Sequence, residues 1–279
     1  MVENDLNLTL GQFLRARRQR LSPEECGLPT QGRRRTPGLR REEVAQLAHI
    51  GTSWYTSLEQ DRDVNPSMEV LDSLATALQL TNDERRYLHM LAKPIESREE
   101  KNQRVSVGIE RMVGALDPNP TVVLGRCWDL LIWNKAAELV FNLPMFSNKL
   151  VNCNNWLRRF LTDPSLIANN EDWEVKAKVM ISRFRADYAH YPNEARFKEL
   201  IEEFMQISEL FRETWPLHDV RNTTNCYKHW SDPRIGEMEF EYVMLQQSLD
   251  PELKIMIYTA STATASRLQE LLGTSRQEE

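Results

Sequence analysis

The chain has 279 residues, room for two ordinary domains, and its 41% hydrophobic and 27% charged content is that of a globular protein with enough apolar mass for buried cores. No apolar run is long enough to span a bilayer, the acidic start does not resemble a signal peptide, and no membrane association is expected. Cys26, Cys127, Cys153 and Cys226 form no close pair, which argues against a disulfide frame or zinc site and for a reducing cytoplasm.

The net charge of −6 disfavours nucleic acid only if read globally. Residues 1–93 carry 13 Lys and Arg against 13 Asp and Glu, so residues 94–279 hold the whole excess. Leu10–Arg41 contains nine arginines against Glu24 and Glu25 alone. Local sign governs a phosphate-facing surface, because such contacts are short-range and screened within about 10 Å.

Leu10–Leu21 predicts a first helix with Leu10, Phe13, Leu14 and Leu21 buried. Arg15, Arg17, Arg18 and Arg20 cover most of the rest, and Arg15 and Arg20 fit a solvated face. Ser22–Leu39 is rich in Pro, Gly and Arg without a helical period, so it is an exposed loop tipped by Arg33, Arg34 and Arg35. Three adjacent guanidinium groups fit a DNA-backbone or minor-groove role, or plain solubility. In Arg41–Leu78, Val44, Ala45, Leu47 and Ala48 form one apolar stripe. A break follows at His49–Gly51, where glycine can take the dihedrals of a tight turn. A second helix opens at Thr52, with Tyr55 and Leu58 turned inward and Thr52, Ser53, Thr56 and Ser57 outward. This is a helix-turn-helix arrangement or an ordinary helical hairpin, and the flanking arginines favour the first. Ser67 is an N-cap for a helix bearing Val70, Leu71, Leu74, Ala75 and Leu78, and Thr81 to Glu84 is a capping box for a fifth. The prediction is a compact all-α five-helix domain over residues 1–93.

Ser97–Met112 predicts a connecting helix, closed by the Asp117–Pro120 turn, within a 94–120 linker. A second domain, 121–279, starts with a hairpin of Thr121–Leu124 and Asp129–Trp133 around Gly125. Helical patterns cover 134–141, 155–162, 173–190, 194–207 and 208–215, and β patterns cover 225–230, 236–249 and 253–260. Met238, Phe240, Tyr242 and Met244 alternate onto one face. Helices inserted within an antiparallel sheet predict an α+β sensor domain.

The words RRRTPGLRREEVA, LRREEVAQLA, WYTSLEQDRD and NPSMEVLDSLATAL resemble the phage-repressor-like (Xre) helix-turn-helix domain, and more narrowly that of the MmyB-like transcription regulators. WDLLIWNKAAELVF, NWLRRFLTDPSLI, FRADYAHYP, SELFRETWPLHDV, IGEMEFEY and IMIYTA resemble the MmyB-like ligand-binding domain, which has a PAS-like fold. The departures are Gly51 for a Ser N-cap, Asp61 for a Gly and Ser57 for a Trp. The resemblance implies a DNA-binding regulator whose second domain takes a long-chain fatty-acyl ligand. It also implies that Glu59 is a half-buried acid paired with Arg18. By the same resemblance Thr52, Ser53 and Ser57 face base edges, Trp54 and Thr56 flank the backbone, and Arg40 and Arg41 hold phosphates, with Arg62 adding a contact. Hydroxyl side chains discriminate bases modestly, so a homodimer on a palindromic operator of double-stranded DNA is expected.

An apolar pocket in the second half would be lined by Trp128, Trp133, Phe184, Tyr188, Phe240 and Tyr242, each of which also fits plain core. Arg185 is the candidate for a carboxylate head group, helped by Asn134 and His218; alternatively Arg185 pairs with Asp219 and Asn134 caps a helix. Catalysis is not expected, since the chain lacks GxSxG, P-loop and HExxH words. His49, His89, His190, His218 and His229 show no metal-ligand spacing, and no cofactor is expected beyond a bound fatty acid. The alternative from another class is a protein–protein adaptor with a helical docking domain and a scaffold domain.

Overall fold

The computed structural model describes residues 9–29, 38–62, 64–92, 105–144, 155–168, 172–191, 194–217, 227–246 and 252–274. The chain forms two compact units: residues 1–97 with 181–222, and residues 98–180 with 223–279. Residues 181–222, which lie within the expected 121–279 domain, group by packing with the helix-turn-helix region. The reason lies in burial: Ala186 and Ala189 pack into the core that the N-terminal helices build.

The helical unit opens with α1 (Leu10–Arg20), α2 (Arg41–Leu47), α3 (Thr52–Glu59), α4 (Met68–Ala77) and α5 (Asn82–Ala92). Their apolar faces meet in one core of Phe13, Leu14, Val44, Tyr55, Leu58, Leu71, Leu74, Tyr87 and Leu88. The ends are capped as read from the sequence. Ser67 accepts from the Val70 N–H, and Thr81 and Glu84 bond reciprocally. The α2–α3 turn differs from expectation. His49 takes the left-handed conformation (φ 56°), while Gly51 is extended at φ −70° and caps α3 without a side chain. The helix-ending residue, not the glycine, makes the turn.

The sheet unit holds α6 (Val107–Ala115), β1 (Thr121–Leu124), β2 (Leu130–Trp133), α7 (Lys135–Phe141), α8 (Trp156–Thr162) and α9 (Pro164–Ala168). Within the described residues the expected connecting helix begins at Val107 with Ser106 as its N-cap, and α6 lays Ile109 and Val113 on Val123, Ile132 and Ile255 as part of this unit's core. Helix α10 (Trp173–His190) follows, and its residues from Ile181 onward belong to the helical unit. There α11 (Ala195–Ile207), α12 (Glu209–Thr214) and a 3-10 turn at Trp215–Leu217 complete the helical unit. Strands β3 (Tyr227–Asp232), β4 (Gly236–Gln246) and β5 (Lys254–Ala260) return to the sheet unit, and α13 (Thr262–Thr274), absent from the sequence reading, closes it.

The five strands are antiparallel in the order β2-β1-β5-β4-β3, with Val123 opposite both Ile132 and Ile255, and Val243 opposite Ile257. Burial of β1 is complete because strands flank it on both sides and apolar layers cover both faces. Met238 and Phe240 are buried as the alternation predicts, whereas Tyr242 is half-buried and Met244 exposed toward the end of β4. Thr264 on α13 accepts from the Glu239 N–H, which ties the last helix to β4.

Gly11 on α1 shows where side-chain size decides the packing. A Cβ there would lie 2.6 Å from the Glu59 carbonyl oxygen and 2.7 Å from an Asp61 carboxylate oxygen. Gly11→Ala should therefore lower stability by about 1–3 kcal/mol from overpacking, outweighing alanine's helix advantage of roughly 0.5–1 kcal/mol. A urea midpoint at or above wild type would refute this packing account.

Candidate nucleic-acid interface and ligand-binding residues

Helix α3 is held by a buried ion triad. Arg18 Nε donates to Glu59 Oε2 at 2.7 Å and its Nη2 to Oε1 at 2.8 Å, while Nη1 donates to the Leu39 carbonyl at 2.7 Å. Arg41 adds Nε to Oε1 at 2.9 Å. The Glu59 side chain is 0% exposed, Arg18 10% and Arg41 41%. Burial alone pushes the Glu59 carboxyl up, but hydrogen bonds and charges from Arg18 and Arg41 more than offset it, leaving it below the ordinary carboxylate range. The expected Arg18–Glu59 pair is present. Arg41, expected on a phosphate, turns two guanidinium nitrogens onto Glu59.

Thr52 and Ser53 are exposed, and Thr56 and Ser57 are half-buried. Thr56 donates to the Thr52 carbonyl and Ser57 to the Ser53 carbonyl, so both hydroxyls keep lone pairs outward. Trp54 packs against the helical core, away from an all-solvent position. Arg40 is exposed beside Glu42 at 3.4 Å, and Arg62 is exposed just beyond α3. Arg33, Arg34 and Arg35 lie outside the described residues.

Asp61 adopts φ 51° and has a structural task. Its carboxylate accepts from the Gly11 N–H at 2.8 Å and the Thr9 hydroxyl at 2.6 Å. An anion thus sits on the positive end of α1, and the exit of α3 is tied to α1. A second triad stands nearby. Glu84 takes Arg17 at 3.2 Å and Arg20 at 3.0 Å, and Arg20 makes this pair from the exposed face expected of it, its side chain 45% exposed.

The expected pocket residues fall into two separately packed groups. In the helical unit, Phe184 and Tyr188 join Phe197, Phe204, Phe211 and Trp215 in a buried aromatic core. Arg185 is fully buried there, 4.7 Å over the Trp215 ring, and donates to the Thr214 and Trp215 carbonyls. It therefore satisfies the C-terminal end of α12 rather than a ligand head group. In the sheet unit, Asn134 accepts from the Thr121 and Ala137 N–H groups and donates to the Asn119 carbonyl, which makes it a helix cap. Trp128 is buried at φ 67° with the Lys254 ammonium 5.5 Å from its ring. Trp133 is buried in β2, and Tyr242 lies 5.3 Å from Tyr258. Phe240 belongs to an aromatic layer with Trp230, Tyr258 and Phe141. His218 lies outside the described residues.

One residue the sequence reading passed over is Arg234. It borders a narrow cavity of about 20 Å³ lined by Val140, Phe141, Leu166, Trp230 and Met238. Its guanidinium binds Asp232 at 3.0 Å, which holds the Asp232 carboxyl below its usual range. The Asp-Pro-Arg turn at 232–234 was the available signal.

A model of the MmyB-like transcription regulator ligand binding domain matches residues 105–272, and a helix-turn-helix domain model matches residues 9–88. The chain belongs to the MmyB-like transcription regulator family. No curated protein matches it. As a family member it is a DNA-binding transcription regulator with a ligand-binding domain, and its two modules are regulator modules rather than enzyme families. Among the described residues no helix is long and apolar enough to cross a membrane, and no His, Cys, Asp and Glu group is arranged to hold a metal. The ligand-binding match includes α10–α12, although the C-terminal half of α10 and all of α11 and α12 pack in the helical unit.

The triad makes the helix-turn-helix module acid-sensitive. The folded-state pKa of Glu59 lies below its unfolded value, so its contribution is complete above the unfolded pKa, near about 4.3, and is lost as pH falls through the folded one. Arg18→Met should cost about 3–5 kcal/mol at neutral pH by leaving Glu59 short of its partner. Glu59→Gln should flatten the acid limb of the urea midpoint, and an acid limb unchanged from wild type would count against the triad.

Proposed function

We propose that α3 enters the major groove of a palindromic operator as one half of a homodimer, with Thr52, Ser53 and Ser57 on base edges. The observation carrying this reading is the hydroxyl-bearing face of α3, turned outward while Glu59 of the same helix is locked to α1 and α2. Arg40 and Arg62 are the proposed phosphate contacts among the described residues. Arg41 is secondary because its guanidinium already serves Glu59. Trp54 and Thr56 flank the backbone, and Arg33, Arg34 and Arg35 extend the contact into the adjacent backbone or minor groove.

Footprinting of the full chain should protect two half-sites about 34 Å apart centre to centre. Arg40→Ala should weaken binding to all sequences and reduce the salt slope by about 1, while Ser53→Ala should change sequence preference at unchanged slope. Equal loss on every sequence from both variants would remove α3 from the reading role.

The ligand in our reading is an apolar molecule with a long acyl chain, held by the PAS-like sheet unit. Support comes from the antiparallel sheet with helices inserted between β2 and β3, and from the aromatic layer of Phe141, Trp230, Phe240 and Tyr258. The narrow cavity beside Arg234 is the proposed entry, with that guanidinium available to an anionic head in exchange for Asp232. A cavity of about 20 Å³ holds one water at most, so a chain can enter only as α7 and α9 part from the β3–β4 turn. Burial then contributes about 0.8 kcal/mol per methylene, and thermal shifts should rise with fatty-acid chain length. Recovery of no lipid from the purified chain, together with no shift at any chain length, would rule this ligand class out.

A further inference from the structure

We infer that Ala186 and Ala189 on α10 are positioning residues for DNA binding, seating a segment of the ligand-binding half against the exit of the reading helix. The inference rests on the reading of α3 as the DNA-contacting helix. Helix α10 is continuous from Trp173 to His190, yet its residues through Met180 group with the sheet unit and those from Ile181 with the helical unit. The chain also passes between the units at 97–98 and 222–223, both outside the described residues. Among the described residues, α10 is therefore the element that belongs to both.

Its C-terminal half meets the DNA-binding module through small side chains. Ala189 is 2% exposed within the core of α1–α5, and Ala186, one turn earlier on the same face, packs at the edge of that core. Ala189 also walls a groove of about 290 Å³ with Leu58 of α3, Arg62 beyond it, and Leu91 and Ala92 at the end of α5. Whatever presses on this wall presses on the C-terminal end of α3. The groove supplies room for a shift that a close-packed core would refuse. Phe184 and Tyr188 fill the aromatic core from another side of α10, while Arg185, one turn before Ala189 on the same face, holds the α12 carbonyls. Movement of α10 thus carries α11 and α12 with it. A ligand that favours one placement of α10 thereby favours one placement of α3.

The test uses the full chain and a duplex selected from a random library by the wild-type protein. Ala189→Leu, which intrudes on the groove, should weaken binding about fivefold or more at a temperature where the variant is fully folded, and Ala189→Ser should keep wild-type affinity. Val179→Ala, a buried position on the sheet-unit half of α10, should lower amide-exchange protection in peptides spanning 52–62 and 84–92. Ile255→Val, in the sheet and off α10, should leave those peptides unchanged. Wild-type affinity in Ala189→Leu, or unaltered exchange in Val179→Ala, overturns the inference. If Ala189→Leu fails to fold, the exchange experiment decides alone. Absence of any selectable duplex for the wild-type chain would instead overturn the α3 reading, while the exchange result still tests α10.

Discussion

Glu59 and its two arginines are the constraint on which the helix-turn-helix module depends. A carboxylate with no solvent exposure is costly unless both oxygens are engaged. Arg18 from α1 takes both, and Arg41 from α2 approaches Oε1. Because Glu59 is the last residue of α3, this single group ties three helices at the point where α3 must be aimed. Asp61 and Gly11 extend the same device. The missing Cβ of Gly11 lets the end of α3 approach α1, and Asp61 binds the α1 N-terminus that this approach presents. At this left-handed position Asp61 therefore supplies an anchor that a glycine could not.

The arginine-dense beginning of the chain has divided loyalties. Arg17, Arg18, Arg20 and Arg41 all pair with Glu59 or Glu84, so much of the local positive charge builds the module, although the Arg20 and Arg41 side chains stay 45% and 41% exposed. Arg17 lies 5.0 Å over the Phe13 ring and is as buried as the aliphatic core around it. Arg40 and Arg62 keep their exposure. Charge counted along the sequence overstates what faces a phosphate, because an internal carboxylate attracts guanidinium groups on the same electrostatic grounds.

In the second half, aromatic and cationic residues that share a sequence neighbourhood take up unrelated work. Phe184, Arg185 and Tyr188 complete a helical core with Phe197, Phe204, Phe211 and Trp215. Trp133 and Phe240 build a sheet. The helices of a sensor domain thus supply part of the DNA-binding module's own packing.

The five N-terminal helices, the caps at Ser67 and the Thr81–Glu84 box, and the antiparallel strands were legible because each is written in short-range terms. Apolar spacing of three and four, alternation of two, and a hydroxyl three residues ahead of an N–H are local physics. The buried role of Glu59 was legible only through family words, since nothing local marks it as internal. His49 rather than Gly51 making the turn, α13 closing the sheet, and Arg185 holding carbonyls some thirty residues away were decided by tertiary contacts. So was the packing of residues 181–222 with the helix-turn-helix region. By itself the sequence determined which faces are apolar and which ends are capped. Only the tertiary structure decided what each face is buried against, because burial free energy is non-directional and Phe184 gains as much from one aromatic core as from another.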